Sequence, residues 1–349
     1  MELQIILDYL IISIIASISI NSILSNYAKK RKILVDLPDR SRKFHKRPTP
    51  LTGGISIFLA LLLSAELYLS LNGLKGYVPD FTYHLFFASL PLVLVFLFDD
   101  YKGLKPILRL FLQILLSLYI VFTTNISITS LGNLFGFGDI ALGIFSVPFT
   151  IFCVVGVMNA FNMIDGINGL CAGSAMVCLL LTGFYSGLIY DSMLVLIIGS
   201  MIGFLIFNLR IFGKKRGVFL GDSGSNLIGF LVAWISIYAA NNQFYDIEPI
   251  SLVWFIAIPL LDCIGLIFNR IVKGVSVVSP GRDHIHHKLM HRYSPETTLI
   301  IIIGVSLITG LFGIYLDNNF TQAVSTYIFI AYALIYYLFA YFIYKTYQK

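Results

Sequence analysis

Asn159-Ala-Phe-Asn-Met-Ile-Asp-Gly-Ile-Asn-Gly-Leu170 sets three amides, a carboxylate and two glycines between two apolar runs, residues 141 to 160 and 170 to 189. Inside hydrocarbon, unpaired amides and carboxylates are costly, so Asn159, Asn162, Asp165 and Asn168 must meet each other, water, an ion or a ligand. The segment is either a polar helix-to-helix connection built on turn chemistry or the frame of a site. Under both readings its flanks are membrane spans.

The composition agrees. The chain is 58% hydrophobic and 12% charged, with a mean hydropathy of +0.86, whereas a soluble globule is usually about 25% charged. The expected fold is all-α, a polytopic helical bundle forming a single transmembrane catalytic domain over 1–349. A span needs roughly 20 apolar residues. Eleven runs qualify, near 3–25, 54–72, 84–98, 107–124, 141–160, 170–189, 192–209, 224–240, 250–271, 297–316 and 322–344. Met1-Glu2-Leu3-Gln4 carries no basic residue, and a basic cluster follows the first run, so that run reads as a retained anchor with the N-terminus outside. Alternation then puts the connections 26–53, 99–106, 161–169, 210–223 and 272–296, and the C-terminus, in the cytoplasm. Counting Arg109 and Arg270 at helix ends, every Lys and Arg of the 24 except Lys75 falls on that side, as the positive-inside rule requires. The net charge of +6 is then a topology signal and needs no nucleic acid. Cys153, Cys171, Cys178 and Cys263 lie in or beside spans without CxxC spacing, and read as small core residues.

Four more inside segments carry polar chemistry. In the first, Pro48, Pro50, Gly53 and Gly54 fix a bend that brings Lys46 and Arg47 to the mouth of the second span, where basic side chains suit phosphate. The third span ends Phe98-Asp-Asp-Tyr-Lys-Gly-Leu-Lys-Pro106. Asp99 and Asp100 there face the negative pole of their own helix, a penalty of about 0.3–1 kcal/mol each. A divalent cation, a basic clamp or a proton-transfer role offsets it, unless one of them caps the helix that Pro106 begins. Gly217-Val-Phe-Leu-Gly-Asp-Ser-Gly-Ser-Asn226 opens the eighth span. Asp222 is either its N-cap or a carboxylate that small neighbours let approach a metal-bound diphosphate. No Walker loop is present. Ser279-Pro-Gly-Arg-Asp-His-Ile-His-His-Lys288 groups Arg282 with His284, His286 and His287, donors suited to phosphate oxygens, while no zinc-type spacing supports a metal there. Asp262, mid-span after Pro259, is a buried hydrogen-bond partner or part of the site.

Together these five segments resemble the polyprenyl-phosphate N-acetylhexosamine-1-phosphate transferases, the family of WecA, TagO and MraY, from about residue 30 to 295 and in the family's order. His-Ile-His-His after Ser-Pro-x-Arg is similar to the WecA and TagO branch. The resemblance implies that a UDP-N-acetylamino sugar, most simply UDP-GlcNAc, gives its sugar 1-phosphate to undecaprenyl phosphate with Mg²⁺ (or Mn²⁺) assistance, and that UMP leaves. This would be the first membrane step of a cell-surface glycan pathway in a bacterial or archaeal cytoplasmic membrane. It implies roles for Asp99 and Asp100 at the lipid phosphate, as catalytic groups with Asp222, and for Asn162 and Asp222 in holding Mg²⁺ or the diphosphate, with Asp99 and Asp100 as further candidate ligands. Asn159 and Asp165 match the nucleotide-sugar pocket, Lys46 a basic residue of the family, and Arg282, His284, His286 and His287 a loop that closes over substrate. Relatives usually read Asp-Gly-x-Asp-Gly where this chain has Asp165-Gly-Ile-Asn168-Gly169, which removes a candidate metal ligand or base.

Transfer between two anions depends on neutralising charge and aligning attack. Direct attack by the lipid phosphate on the β-phosphorus is the simpler route, and an aspartyl-phosphate intermediate is the alternative. The rival reading, a transporter or flippase, expects binding groups at the midplane of repeated halves. The expected partners are the UDP-sugar, undecaprenyl phosphate and the bilayer, without nucleic acid. A homodimer stays open.

Overall fold

A computed structural model describes residues 3–38, 47–72, 80–241, 247–276 and 283–347. Lys46 and Arg282 lie outside the described residues. The protein is helical almost throughout: α1 (Leu3–Arg31), α2 (Gly53–Asn72), α3 (Asp80–Lys102), α4 (Pro106–Thr124), α5 (Ser146–Ile164), α6 (Leu170–Ser186), α7 (Ser192–Asn208), α8 (Gly221–Asn241), α9 (Pro249–Phe255), α10 (Ala257–Val272), α11 (Ile285–Met290), α12 (Pro295–Asn319) and α13 (Gln322–Tyr347). Among the described residues two short strands, β1 (Val35–Asp36) and β2 (Thr49–Pro50), pair antiparallel, and an isolated antiparallel bridge joins Ser130 to Ala141.

Among the described residues, eight helices are long and apolar enough to cross a membrane, or nine if α9 and α10 make one span. That is fewer than the eleven expected from the sequence. Two of the predicted runs fold as α6 and α7, apolar helices of only 17 residues. A third is broken: α9 and α10 meet at 83°. Pro259 explains where. Its ring collides with the carbonyl four residues back, at Phe255, and it offers no N–H in return. The first helix therefore ends at Phe255, and Leu260 N–H restarts the ladder on Ile256 O at 3.0 Å. The third span is longer than its apolar run and carries Asp99 and Asp100 in its last turns, not in a loop. The fifth begins only at Ser146, which leaves Pro148 in the first turn, where proline is tolerated.

The chain forms two compact units, each assembled from two stretches. The first comprises Met1–Thr124 and Gly187–Ile228, the second Asn125–Ser186 and Gly229–Lys349. Between helices in lipid, close packing and interhelical hydrogen bonds replace the hydrophobic effect as the driving force. In the first unit α1 lies on α7 through small residues. Ser17 Oγ donates to Ser200 O at 2.7 Å, and a Cβ at Gly199 or Gly203 would collide with Ser13 or Ser17. The start of α2 is tied to the entry of α8, with Gly53 and Gly54 N–H donating to Phe219 and Leu220 O, each at 3.0 Å, and Phe219 N–H to Pro50 O at 2.8 Å. Gly54 lies so near Gly224 that no side chain fits between the two backbones. The bend read from Pro48 to Gly54 is thus fastened to the segment that carries Asp222.

In the second unit Trp254 of α9 anchors the core. Its Nε1 donates to Ser325 Oγ at 3.0 Å, and the Phe312, Phe329 and Tyr332 rings surround it at 4.9–5.6 Å. Ser294 caps α12 by accepting Thr297 N–H at 3.1 Å, with Pro295 opening the helix.

Candidate active site

Asp99 and Asp100 end α3 at the pole that repels them, so the chain must supply positive partners. Asp100 finds them at the start of α8. Its Oδ1 accepts Asp222 N–H at 2.7 Å, and its Oδ2 accepts Ser223 N–H at 3.1 Å and Ser223 Oγ–H at 2.8 Å. A helix N-terminus offers N–H groups without intrahelical partners, and a carboxylate satisfies them. Asp100 therefore caps α8, and neither aspartate caps α4 with its side chain. Gly221 makes the approach feasible: its φ is +75°, and a Cβ there would lie 2.6 Å from Asp100 Oδ2.

Asp99 has a fully buried side chain and is balanced by Arg109 of α4. Arg109 Nε stands 2.7 Å from Asp99 Oδ2, and Nη1 stands 3.1 Å from Asp222 Oδ2. The first contact is an ion pair without hydrogen-bond alignment, so Asp99 Oδ2 is left without an aligned donor. The other oxygen, Oδ1, accepts Leu104 N–H in the turn that Gly103 (φ +75°) allows. Behind the ion pairs, Gln113 Nε2 donates to Asn226 Oδ1 at 2.7 Å, and Asn226 Nδ2 donates to Asp222 O at 2.9 Å. Three carboxylates and one guanidinium thus converge in the first unit, with Asp222 in the first turn of α8 and paired to Arg109.

The imidazoles are held differently. Asp262 of α10, 6% exposed, accepts His284 Nδ1–H at Oδ2 (2.8 Å) and Ile285 N–H at Oδ1 (2.9 Å), with the Tyr336 hydroxyl at 3.4 Å from Oδ1. The His284 ring stacks on His286 at 5.3 Å and 15°, and His286 meets His287 at 4.2 Å. His286 is 1% exposed; among the described residues neither ring nitrogen has a hydrogen-bond partner. Burial first, then the neighbouring His287 and His284, hold it well below the usual histidine range, so it is neutral. Burial likewise lowers Lys288. His286 packs against the Asp165–Gly166 turn so closely that a Cβ at Gly166 would fall 1.9 Å from Nε2. That turn follows α5, whose last residues carry Asn159 and Asn162, with Asn159 Nδ2 donating to Val155 O at 2.8 Å. Gly169, at φ +83°, lets the chain enter α6. Asn168 is half-buried within this turn.

A profile for glycosyl transferase family 4 matches residues 82–240. The undecaprenyl-phosphate alpha-N-acetylglucosaminyl 1-phosphate transferase of Yersinia pestis is 34% identical over 297 residues, 82% of this chain and 79% of the relative. The chain belongs to glycosyl transferase family 4. Proteins of the same name from Escherichia coli strain K12 and Haemophilus influenzae are 32% and 31% identical, over 81% and 80% of this chain and 76% and 79% of theirs.

In this family 4 chain, sequence reading singled out the three aspartates that the structure brings together, and counted Arg109, which pairs with two of them, only as a helix-end topology charge. The available signal was a lone Arg in the first turn of an otherwise apolar helix, where an ionised group needs a partner. Ser223 and Gly221 were missed as well, because their roles depend on Asp100 reaching them from 123 and 121 residues away. Hard oxygen donors such as Asp99 and Asp222 suit Mg²⁺ in chemical type. Among the described residues, however, no group of three or more His, Cys, Asp or Glu is arranged as a metal cluster.

Proposed function

We propose that this protein transfers an N-acetylhexosamine 1-phosphate, GlcNAc-1-phosphate in the first instance, from a UDP-sugar to undecaprenyl phosphate and releases UMP. The observation that carries the reading is the Asp99–Arg109–Asp222 ion-pair chain, in a family whose named relatives act on undecaprenyl phosphate. An oxygen of the lipid phosphate attacks the β-phosphorus, a new P–O–P linkage forms, and the bond to the α-phosphate oxygen breaks with UMP as the leaving group. Asp99, whose Oδ2 lacks an aligned donor, is assigned to receive the proton of the lipid phosphate and to orient it. Asp100 is assigned to hold the α8 entry that presents Asp222. Arg109 supplies positive charge against developing phosphoryl charge. Asp222 is the residue assigned to Mg²⁺, which if bound would neutralise diphosphate charge. Asn159 and Asp165 are assigned to the nucleotide sugar, and His284 and His287, with Lys46 and Arg282, to its phosphates, while His286, buried against Gly166, is assigned to shaping the turn that carries Asp165.

From the asymmetry of basic residues we place the N-terminus outside and the C-terminus and catalytic loops in the cytoplasm. The deciding experiment incubates purified protein with undecaprenyl phosphate, Mg²⁺ and a panel of UDP-sugars. UMP release with UDP-GlcNAc, lost on chelation, is the expected outcome. Silence across UDP-GlcNAc, UDP-GalNAc and their deoxy analogues removes the reading.

A further inference from the structure

Asp262 has no part in the transfer chemistry above, yet it is among the most fully used side chains in the second unit. One oxygen takes the His284 Nδ1–H and the other takes the backbone N–H of the next residue, Ile285. The ring and the first turn of α11 are therefore fixed by one carboxylate, with Tyr336 of α13 closing on the same Oδ1. The stem of that carboxylate is rigid: Asp262 sits on α10 just after the Pro259 break.

A carboxylate at Nδ1 has a definite chemical consequence. It accepts only, so Nδ1 must carry a proton, and in the neutral ring the lone pair then lies on Nε2. Nε2 is left as an acceptor for a proton carried by a ligand oxygen. His286, two residues on, has the opposite arrangement: no hydrogen-bond partner among the described residues and a place against Gly166. Of these two rings, His284 is the one built to present a directed nitrogen.

We infer that Asp262 is a positioning residue that locks His284 in the Nδ1–H tautomer and aims the Nε2 lone pair at a proton-bearing oxygen of the substrate, a hydroxyl or a protonated phosphate oxygen. The catalytic half of this inference rests on the transferase reading; the tautomer half does not. An amide cannot replace the carboxylate, because Asn at 262 has one accepting oxygen for two donors, and its NH₂ turned toward Nδ1 would force the proton to Nε2.

The test uses the full chain in detergent with added lipid and ¹⁵N-labelled histidine, with the His284 signals assigned through His284→Gln. The wild type is expected to show a protonated Nδ1 and Asp262→Asn a protonated Nε2, with Asp262→Glu restoring the first pattern. In UMP release, Asp262→Asn should lower kcat by about 10- to 100-fold, the usual effect of losing a partner that orients a functional histidine, and Asp262→Glu should recover at least part of it. The double variant Asp262→Asn/His284→Gln should be no slower than His284→Gln alone, because the aspartate acts through that ring. Multiplying losses, or an unchanged tautomer in Asp262→Asn, overturns the inference. Should Asp262→Asn not fold, a Glu variant that shows Nε2 protonation while its activity stays at wild-type level does the same. A tautomer that responds as expected in a protein releasing no UMP from any UDP-sugar would instead refute the transferase reading and leave the pairing intact.

Discussion

The carboxylate cluster of the first unit and the imidazole cluster of the second solve the problem of burying polar groups in opposite ways. Asp100 has a donor on each oxygen, and Asp99 faces a guanidinium. Each carboxylate thus has donors or a counter-charge before any substrate arrives, although three carboxylates share one guanidinium. His286 is buried as deeply as Asp99, but stays neutral and packs as though it were apolar, while its neighbour His284 is held by a carboxylate. The difference teaches that the first cluster is organised by charge and the second by shape. Removing a charge should therefore damage the first most, and adding a methyl group the second.

The comparison breaks most visibly at the carboxylates. Asp99→Asn, Asp100→Asn and Asp222→Asn should each cut turnover by at least about 10²-fold, the scale for acid–base and charge-stabilising groups, read as UMP release. Only Asp100→Asn should also lower the melting temperature clearly, since it alone caps α8. Equal melting temperatures for all three would show that the cap contributes little. Arg109→Gln comes next. It leaves the buried Asp99 without its counter-charge, a change that costs about 3–5 kcal/mol for a fully buried pair. Because Arg109 is about a third exposed, solvent screening reduces this to about 2 kcal/mol, measurable by denaturant titration in detergent. A loss below about 0.5 kcal/mol, the scale of a surface pair, would mean that solvent already balances Asp99.

Much of the architecture was legible because hydropathy runs and helix lengths answer to the same bilayer. The predicted run at 107–124 becomes α4 almost residue for residue, while the polar stretch from Asn159 to Leu170 supplies the end of α5 and the short turn, 165–169, into α6. What sequence could not show was length against curvature. Pro259 announces a break, but the 83° bend depends on what α9 and α10 pack against. Nor could it show that Asp100 serves a helix more than a hundred residues away. Propensity and periodicity describe neighbours along the chain, while Asp100, Arg109 and Asp262 are explained only by partners distant in sequence. Asp262 was left between structure and site on sequence grounds, and its bond to His284 decides in favour of a defined partner.

At Gly166 the prediction turns on shape. Ala adds one methyl group, and the φ there demands no glycine, but the Cβ would overlap the His286 ring. Overpacking of this kind costs about 1–3 kcal/mol. Gly166→Ala should lose about 2 kcal/mol by that rule and slow UMP release by disturbing the turn that carries Asp165. His286→Ala in the same chain makes room and should recover most of the stability. A double variant as unstable as the sum of the singles would show that the two residues do not compete for space.

The smallest expected effect is the pH dependence contributed by His286. Its folded-state pKa is depressed from the ordinary 6.5 by burial and by the His287 and His284 rings. The unfolded chain therefore binds a proton that the folded chain refuses, and stability falls as pH falls. The contribution is whole above about pH 6.5 and declines from there toward the lower folded value, with a limiting slope of about 1.4 kcal/mol per pH unit for one proton. His286→Met, of similar volume and without a titrating nitrogen, should flatten the fall of melting temperature between about pH 7 and pH 5.5, the window just below the ordinary histidine value. An identical slope in the variant would mean that His284, His287 or a carboxylate carries the acid sensitivity, and that the buried ring is as indifferent to protons as the apolar side chain whose place it takes.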